Sequence, residues 1–192
     1  LDFDETLFDH EAFVKFVAQH LGKQGIDADK FTASFNDYHD VQDDKGLLRL
    51  YRHRDHVQDK LGLDWFYYSE TMKNAVKAQS ADFCYPDVHG FLALISKLDD
   101  VAVSLLTYGD AEYQTYKTQL CPHIRSLPIT IVGEAKGDYL HREHADAQGV
   151  LLDDKAPLDL PNTWQHVWVN RAKKNVRIIL VCLKKERSPS CS

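Results

Sequence analysis

The sequence predicts an α/β fold: a parallel sheet with crossover helices, interrupted near its start by a small helical insert. Two patterns predict it. From Pro86 onward short apolar runs alternate with amphipathic stretches, the rhythm of strands and crossover helices. Before Ala81, by contrast, amphipathic helices follow one another directly, as in a small bundle. A third observation locates the chemistry. The apolar runs end in acids and hydroxyls, and ligands of open α/β sheets collect at the carboxyl ends of the strands.

The elements follow in chain order. "DHEAFVKFVAQHLGKQG" places Phe13, Phe16, Val17 and Leu21 on one helical face, with Asp9 as cap and Gly22 or Gly25 as stop. "DADKFTASFNDY", "DKGLLRLYRHRDHVQDKLG" and "DWFYYSETMKNAVKAQ" continue the helical insert. "PDVHGFLALISKL" reads as a helix with Pro86 in its first turn, and "VAVSLLT" (101–107) as a buried strand. Then come a helix in "GDAEYQTYKTQL", a strand in "ITIV" (129–132), a helix in "KGDYLHREHADAQ", a strand in "GVLL" running into Asp153 and Asp154, and a strand in "HVWVN" (166–170). "VRIILVCL" fits an edge strand or a docking tail. The boundaries are thus 1–12 and 82–192 for the sheet domain and 13–81 for the insert.

Composition narrows the class. With 192 residues, 44% hydrophobic and 27% charged, the chain can bury one sizeable core, or one domain with a smaller insertion, and wholesale disorder is not expected. A formal net charge of -6 argues against a nucleic-acid platform. Cys84, Cys121, Cys182 and Cys191 form no C-x-x-C pair, which fits inert thiols in a reducing compartment. No apolar run reaches membrane-spanning length, and acids stand where a signal peptide would carry bases, so a cytoplasmic protein without membrane contact, monomer or homodimer, is expected. Leu1 leads straight into the first acid, so a few apolar residues are expected upstream.

The residues after the predicted strands are chemical partners: Asp2 and Asp4, then Thr107, then Lys136, then Asp153 and Asp154. Carboxylates converging on one crevice repel unless a divalent cation neutralises them, and an all-oxygen donor set favours Mg²⁺. A hydroxyl and an ammonium beside that ion are the groups that hold phosphoryl oxygens. The residue types therefore point to phosphoryl chemistry.

In these same segments the chain resembles the haloacid dehalogenase-like (HAD) superfamily of phosphohydrolases. "DFDET" resembles its D-x-D-x-T motif, "VSLLT" its strand-ending hydroxyl, Lys136 in "GEAKGDYL" its lone lysine and "VLLDD" its acidic pair, all in the family's order. The resemblance implies a Rossmann-like sheet core with a helical C1-type cap inserted after the first motif. It implies Asp2 as the nucleophile that forms an aspartyl-phosphate, and Asp4 as the acid that protonates the leaving oxygen and then the base that activates water. Thr107 and Lys136 would neutralise the phosphoryl oxygens. Asp154, with Asp153 beside it, would hold Mg²⁺ together with Asp2 and the Asp4 backbone carbonyl, and Thr6 would brace the loop.

The expected activity is hydrolysis of a small phosphorylated metabolite, since a cap closes over small substrates and excludes water. A phosphotransferase or mutase of the same superfamily, and an idle phosphate-binding regulator, are the alternatives. A 2-haloacid dehalogenase ranks last because that branch lacks the second acid, here Asp4. Glu5 departs from the glycine more usual between Asp4 and Thr6. Arg49, Arg52 and Arg54 are expected on a solvated face, and the pairs His53/His56 and His141/His144 at the surface. Trp65, Phe66, Tyr67 and Tyr68 are expected in the core of the insert.

Overall fold

The computed structural model describes residues 1–39, 51–156 and 159–171. The "GLLRL" run with Arg49, the "VRIILVCL" segment, Cys182 and Cys191 lie outside them. The chain is mixed helix and strand with small parallel sheets.

The amino-terminal helices form where their patterns demand. Helix α1 (His10–Gly22) is capped by Asp9, whose carboxylate accepts the Ala12 N–H at 2.8 Å. Helix α2 (Ala28–His39) follows a turn in which Asp27 accepts the N–H groups of Asp29 and Lys30. A short helix α3 (His53–Asp55) widens into a π-helical turn over His56–Lys60, and α4 (Trp65–Ala78) is capped by Asp64.

Among the described residues four strands follow, interleaved with helices: α5 (Val88–Ile95), β1 (Leu105–Tyr108), α6 (Ala111–Gln119), β2 (Ile129–Val132), α7 (Lys136–Glu143), β3 (Gly149–Asp153) and β4 (Trp164–Trp168). β1 pairs with β2 and β3 with β4, both in parallel. Leu1 and Asp2 join the two pairs. The Leu1 nitrogen donates to the Ser104 carbonyl and the Leu106 N–H donates to the Leu1 carbonyl, flanking Leu105 as in a parallel ladder. On the other side the Asp2 N–H donates to the Leu152 carbonyl at 2.8 Å. The resulting row is β2, β1, residues 1–2, β3, β4.

Alternate strand residues point to opposite faces, and each face carries a buried cluster, although the edge strand β4 leaves Val167 and Trp168 exposed. Leu105 joins a large cluster with Phe3, Phe8, Phe13, Phe83, Phe91 and Tyr116, so the helical segment and one sheet face share a continuous core. Leu106, Val132 and Leu151 turn the other way and pack with Leu140 of α7.

Several expectations are corrected. β1 begins at Leu105 rather than 101, because Pro128 on the neighbouring chain accepts from Leu105 but has no N–H to extend the ladder. α5 starts at Val88, after Pro86, since the Val88 N–H closes a turn onto the Tyr85 carbonyl. α7 ends at Glu143 because the next carbonyls, His144 and Ala145, accept from Trp164 and Thr163. β4 starts two residues early, at Trp164, whose ring lies over Gly149; a Cβ there would stand 2.5 Å from it.

Two side-chain expectations also change. Phe66 and Tyr67 are 74% and 62% exposed, while Tyr68 is buried, since one helix face alone can meet the core. His53 and His56 are buried, not superficial. The Tyr51 hydroxyl sits 2.7 Å from His53 Nδ1 and 2.9 Å from His56 Nδ1; Tyr68 Oη meets His53 Nε2 and Ser34 Oγ meets His56 Nε2, each at 2.7 Å. One hydroxyl proton cannot serve two acceptors, so one imidazole donates to Tyr51 and the other accepts from it. Both rings are then satisfied in their neutral form.

That neutrality has a pH signature. Burial, assisted by Lys60, lowers His56 from 6.5 to about 4. Between these values the unfolded chain binds more protons than the folded one, so stability rises with pH across the window and falls as pH drops from about 6.5 to 4. At most about 3 kcal/mol is at stake. Urea midpoints at pH 7 and 4.5 should differ more for the parent than for His56→Asn; equal differences would place the imidazole in contact with water. His141 and His144 are exposed, as expected, and Arg52 and Arg54 are exposed beside Asp55 and Glu112.

Candidate active site

Asp2 lies at the junction of the two parallel pairs and is 4% exposed. Its Oδ1 accepts from Lys136 Nζ at 2.5 Å and its Oδ2 from the Thr6 hydroxyl at 3.1 Å. Lys136, the first residue of α7, also donates to Asp153 Oδ2 at 2.6 Å, so one ammonium spans the carboxylates that end two neighbouring strand segments. Burial is the strongest influence on both partners: it raises Asp2 and works against the charge on Lys136. The two carboxylates outweigh it at Lys136, whose ammonium is held more firmly than an ordinary lysine's.

Asp153 is fixed at its other oxygen by the Lys155 N–H at 2.9 Å. Asp154 follows β3, where its N–H donates to Thr6 Oγ1 at 3.0 Å and its carbonyl accepts from Trp168 Nε1 at 2.8 Å. Thr6, fully buried, thus donates to one site residue and accepts from another, the bracing role anticipated for it. Asp2, Asp153 and Asp154 each present an oxygen within 4.8 Å of the others. Burial and the Asp2 charge push Asp154 up to about 7. Three hard carboxylate oxygens this close could hold a divalent cation, with Lys136 already pairing with two of the three acids.

Asp4 stands apart from that set, with different partners. Lys117 Nζ pairs with its Oδ1, Gln114 Nε2 donates to its Oδ2 at 2.9 Å, and His10 Nδ1 lies 3.4 Å from Oδ1. Lys117 is 1% exposed, with its ammonium 4.5 Å from the centre of the Tyr113 ring and 5.4 Å from those of Phe3 and Phe8. Burial alone would raise Asp4, but Lys117 and His10 outweigh it and hold the carboxyl well below the usual range. Gln114 also donates to the Tyr108 carbonyl at 2.9 Å, which ties α6 to the end of β1.

Thr107, third residue of β1 and 1% exposed, is next along the strand from Leu106, which bonds to Leu1. Among the described residues no hydrogen bond joins its hydroxyl to the acids; strand register alone places it beside them. Of the residues expected in one site, the structure brings together Asp2, Lys136, Asp153 and Asp154, while the Asp4 carboxylate, expected with them, pairs instead with Lys117, Gln114 and His10, which sequence reasoning missed. A signal for the first two was present. α6 begins three residues after the strand-ending Tyr108, and Gln114 and Lys117, one turn apart, flank the apolar Tyr113 and Tyr116 on a face that must meet the core.

The position of Lys136 depends on a close approach. A Cβ on Gly137 would stand 1.8 Å from the Asp159 carbonyl oxygen, so Gly137→Ala must push α7 away from that backbone. We expect a loss of about 1–3 kcal/mol in urea denaturation, the usual cost of overpacking, with a larger loss of any Lys136-dependent activity. Unchanged stability would mean that the 159 loop yields freely.

Compared with known proteins, the chain matches no protein-family model, no curated protein and no solved structure.

Proposed function

We propose that the protein is a Mg²⁺-dependent phosphohydrolase of the HAD type, acting on a small phosphomonoester through an aspartyl-phosphate at Asp2. The observation that carries the reading is the convergence of Asp2, Asp153 and Asp154 around Lys136 at the ends of parallel strand segments. The row of strands and the helices on both sheet faces agree with a Rossmann-like core, and the helices over 10–78 agree with a cap.

Asp2 Oδ attacks phosphorus while the bond to the leaving oxygen breaks. Lys136 steadies the Asp2 carboxylate before attack and the phosphoryl oxygens after it. Asp2, Asp153 and Asp154 would hold Mg²⁺, which when bound would supply charge neutralisation for those oxygens. The Lys117–Asp4 pair carries the proton passed to the leaving oxygen, after which Asp4 takes a proton from the water that cleaves the Asp2–phosphorus bond. Thr107 holds a phosphoryl oxygen from the β1 side.

The test is a panel of phosphorylated metabolites incubated with Mg²⁺ and with chelator. Metal-dependent phosphate release from one small ester supports the reading; release of halide from 2-haloacids, or no turnover of any ester, overturns it.

A further inference from the structure

Glu5 adopts a left-handed backbone conformation, φ +56°, which non-glycine residues seldom take. Two bonds hold it there. Its N–H donates to the Phe8 carbonyl at 2.9 Å, and its carboxylate accepts the Tyr85 hydroxyl at 2.7 Å. The Tyr85 ring in turn carries the Arg171 guanidinium 4.3 Å from its centre. Arg171, with a side chain 7% exposed, donates through Nη1 to both oxygens of Asp87 at 2.8 and 3.0 Å. Its Nε and Nη2 donate to the Thr6 carbonyl at 3.1 and 2.6 Å.

Thr6 is the residue whose hydroxyl donates to Asp2, so this network ends on the proposed nucleophile. It also ends on the insert. Residues 83–85 carry the chain back from α4 and pair with the loop: Asp9 N–H donates to the Phe83 carbonyl, Tyr85 N–H to the Leu7 carbonyl, and Phe8 bridges Cys84. Only a guanidinium can fill this place, because one flat ion has to meet a carboxylate along one edge and a carbonyl along another, and present its face to a ring.

We propose that Arg171, with Tyr85, Asp87 and Glu5, is a positioning device that fixes the loop of residues 4–8, and through Thr6 the Asp2 carboxylate, relative to the base of the helical insert. The proposal rests on the reading of Asp2 as nucleophile. Glu5 then belongs to this chain's own bracing: where glycine would give the loop its conformation freely, Glu5 adds an acceptor that anchors Tyr85.

The test uses the full chain and the variants Arg171→Lys, Tyr85→Phe, Glu5→Gln and Glu5→Gly. Hydrogen exchange at the Glu5, Leu7 and Phe8 amides needs no substrate; kcat and KM are measured on p-nitrophenyl phosphate with Mg²⁺. Loss of a charge-assisted bond in Arg171→Lys should speed exchange at these amides at least about 10-fold and lower kcat about 10-fold, with KM held within about 2-fold. Tyr85→Phe and Glu5→Gly should match each other at about 3–5-fold, the size of one hydrogen bond, while Glu5→Gln, which keeps an acceptor, should behave as the parent. Parental exchange in Arg171→Lys, or Glu5→Gly behaving like Glu5→Gln, overturns the proposal. If the parent hydrolyses nothing, the function fails on that result alone and the exchange arm still decides the bracing.

Discussion

With Asp2 as the proposed nucleophile, Asp2→Asn is expected to abolish Mg²⁺-dependent release of phosphate from p-nitrophenyl phosphate, with kcat down by roughly 10⁴-fold or more, because an amide cannot replace a carboxylate in that role. The fold should survive the change. The amide oxygen can still accept from Lys136, and the Thr6 hydroxyl, now bonded by Asp154 N–H alone, has a lone pair left for the new N–H. Lys136 keeps its bond to Asp153, so its buried charge is not stranded. The measurement pairs steady-state kinetics with a urea titration. A stable Asp2→Asn protein that retains metal-dependent activity removes Asp2 from the chemistry, and a parent equally active in chelator removes the metal from it.

Lys117→Met is the second large effect, and its signature is selectivity rather than mere loss. Methionine matches lysine in length and suits the Phe3, Phe8 and Tyr113 rings around the ammonium, so the apolar setting is kept. Asp4 loses its cation but retains Gln114 and a side chain 31% exposed, which lets water compensate in part. Stability should therefore move by no more than about 2 kcal/mol. Turnover of an alkyl phosphate, whose leaving oxygen must be protonated, should fall about 100-fold, the usual worth of a placed proton donor. Turnover of p-nitrophenyl phosphate, whose leaving group departs as an anion, should fall less than about 10-fold on the same argument. Equal losses on both substrates would reduce Lys117 to a support for the fold.

Much of the architecture was legible because its signals are local. Asp9, Asp64 and Asp110 each stand at a helix start and each accepts from the N–H three residues on. "ITIV" coincides with β2 to the residue, since Pro128 and Gly133 bound it. What went unread depends on long-range pairing. The start of β4 is set by the fit of Trp164 over Gly149, fifteen residues away, and the length of α7 by carbonyls that Trp164 and Thr163 claim. The burial of His53 and His56 requires Tyr51, Ser34 and Tyr68 to arrive from other turns.

The candidate site divides in the same way. Asp2, Asp153, Asp154 and Lys136 were readable because acids ending apolar runs are conspicuous in one dimension. Arg171 was not: nothing near it in sequence announces that Thr6, 165 positions away, needs a donor.

The row of strands has one further consequence, for the order in which the chain assembles. Residues 1 and 2 are the only rung described between the two strand pairs, and the bond from Leu1 to Ser104 spans 103 residues while Asp2 must reach Leu152. Each pair, by contrast, closes over a few tens of residues. Closing the longer loops costs more entropy before any contact rewards it. The rung that residues 1 and 2 make is thus expected to close after either pair, so an activity that needs Asp2 should return in refolding no earlier than the secondary structure of both pairs.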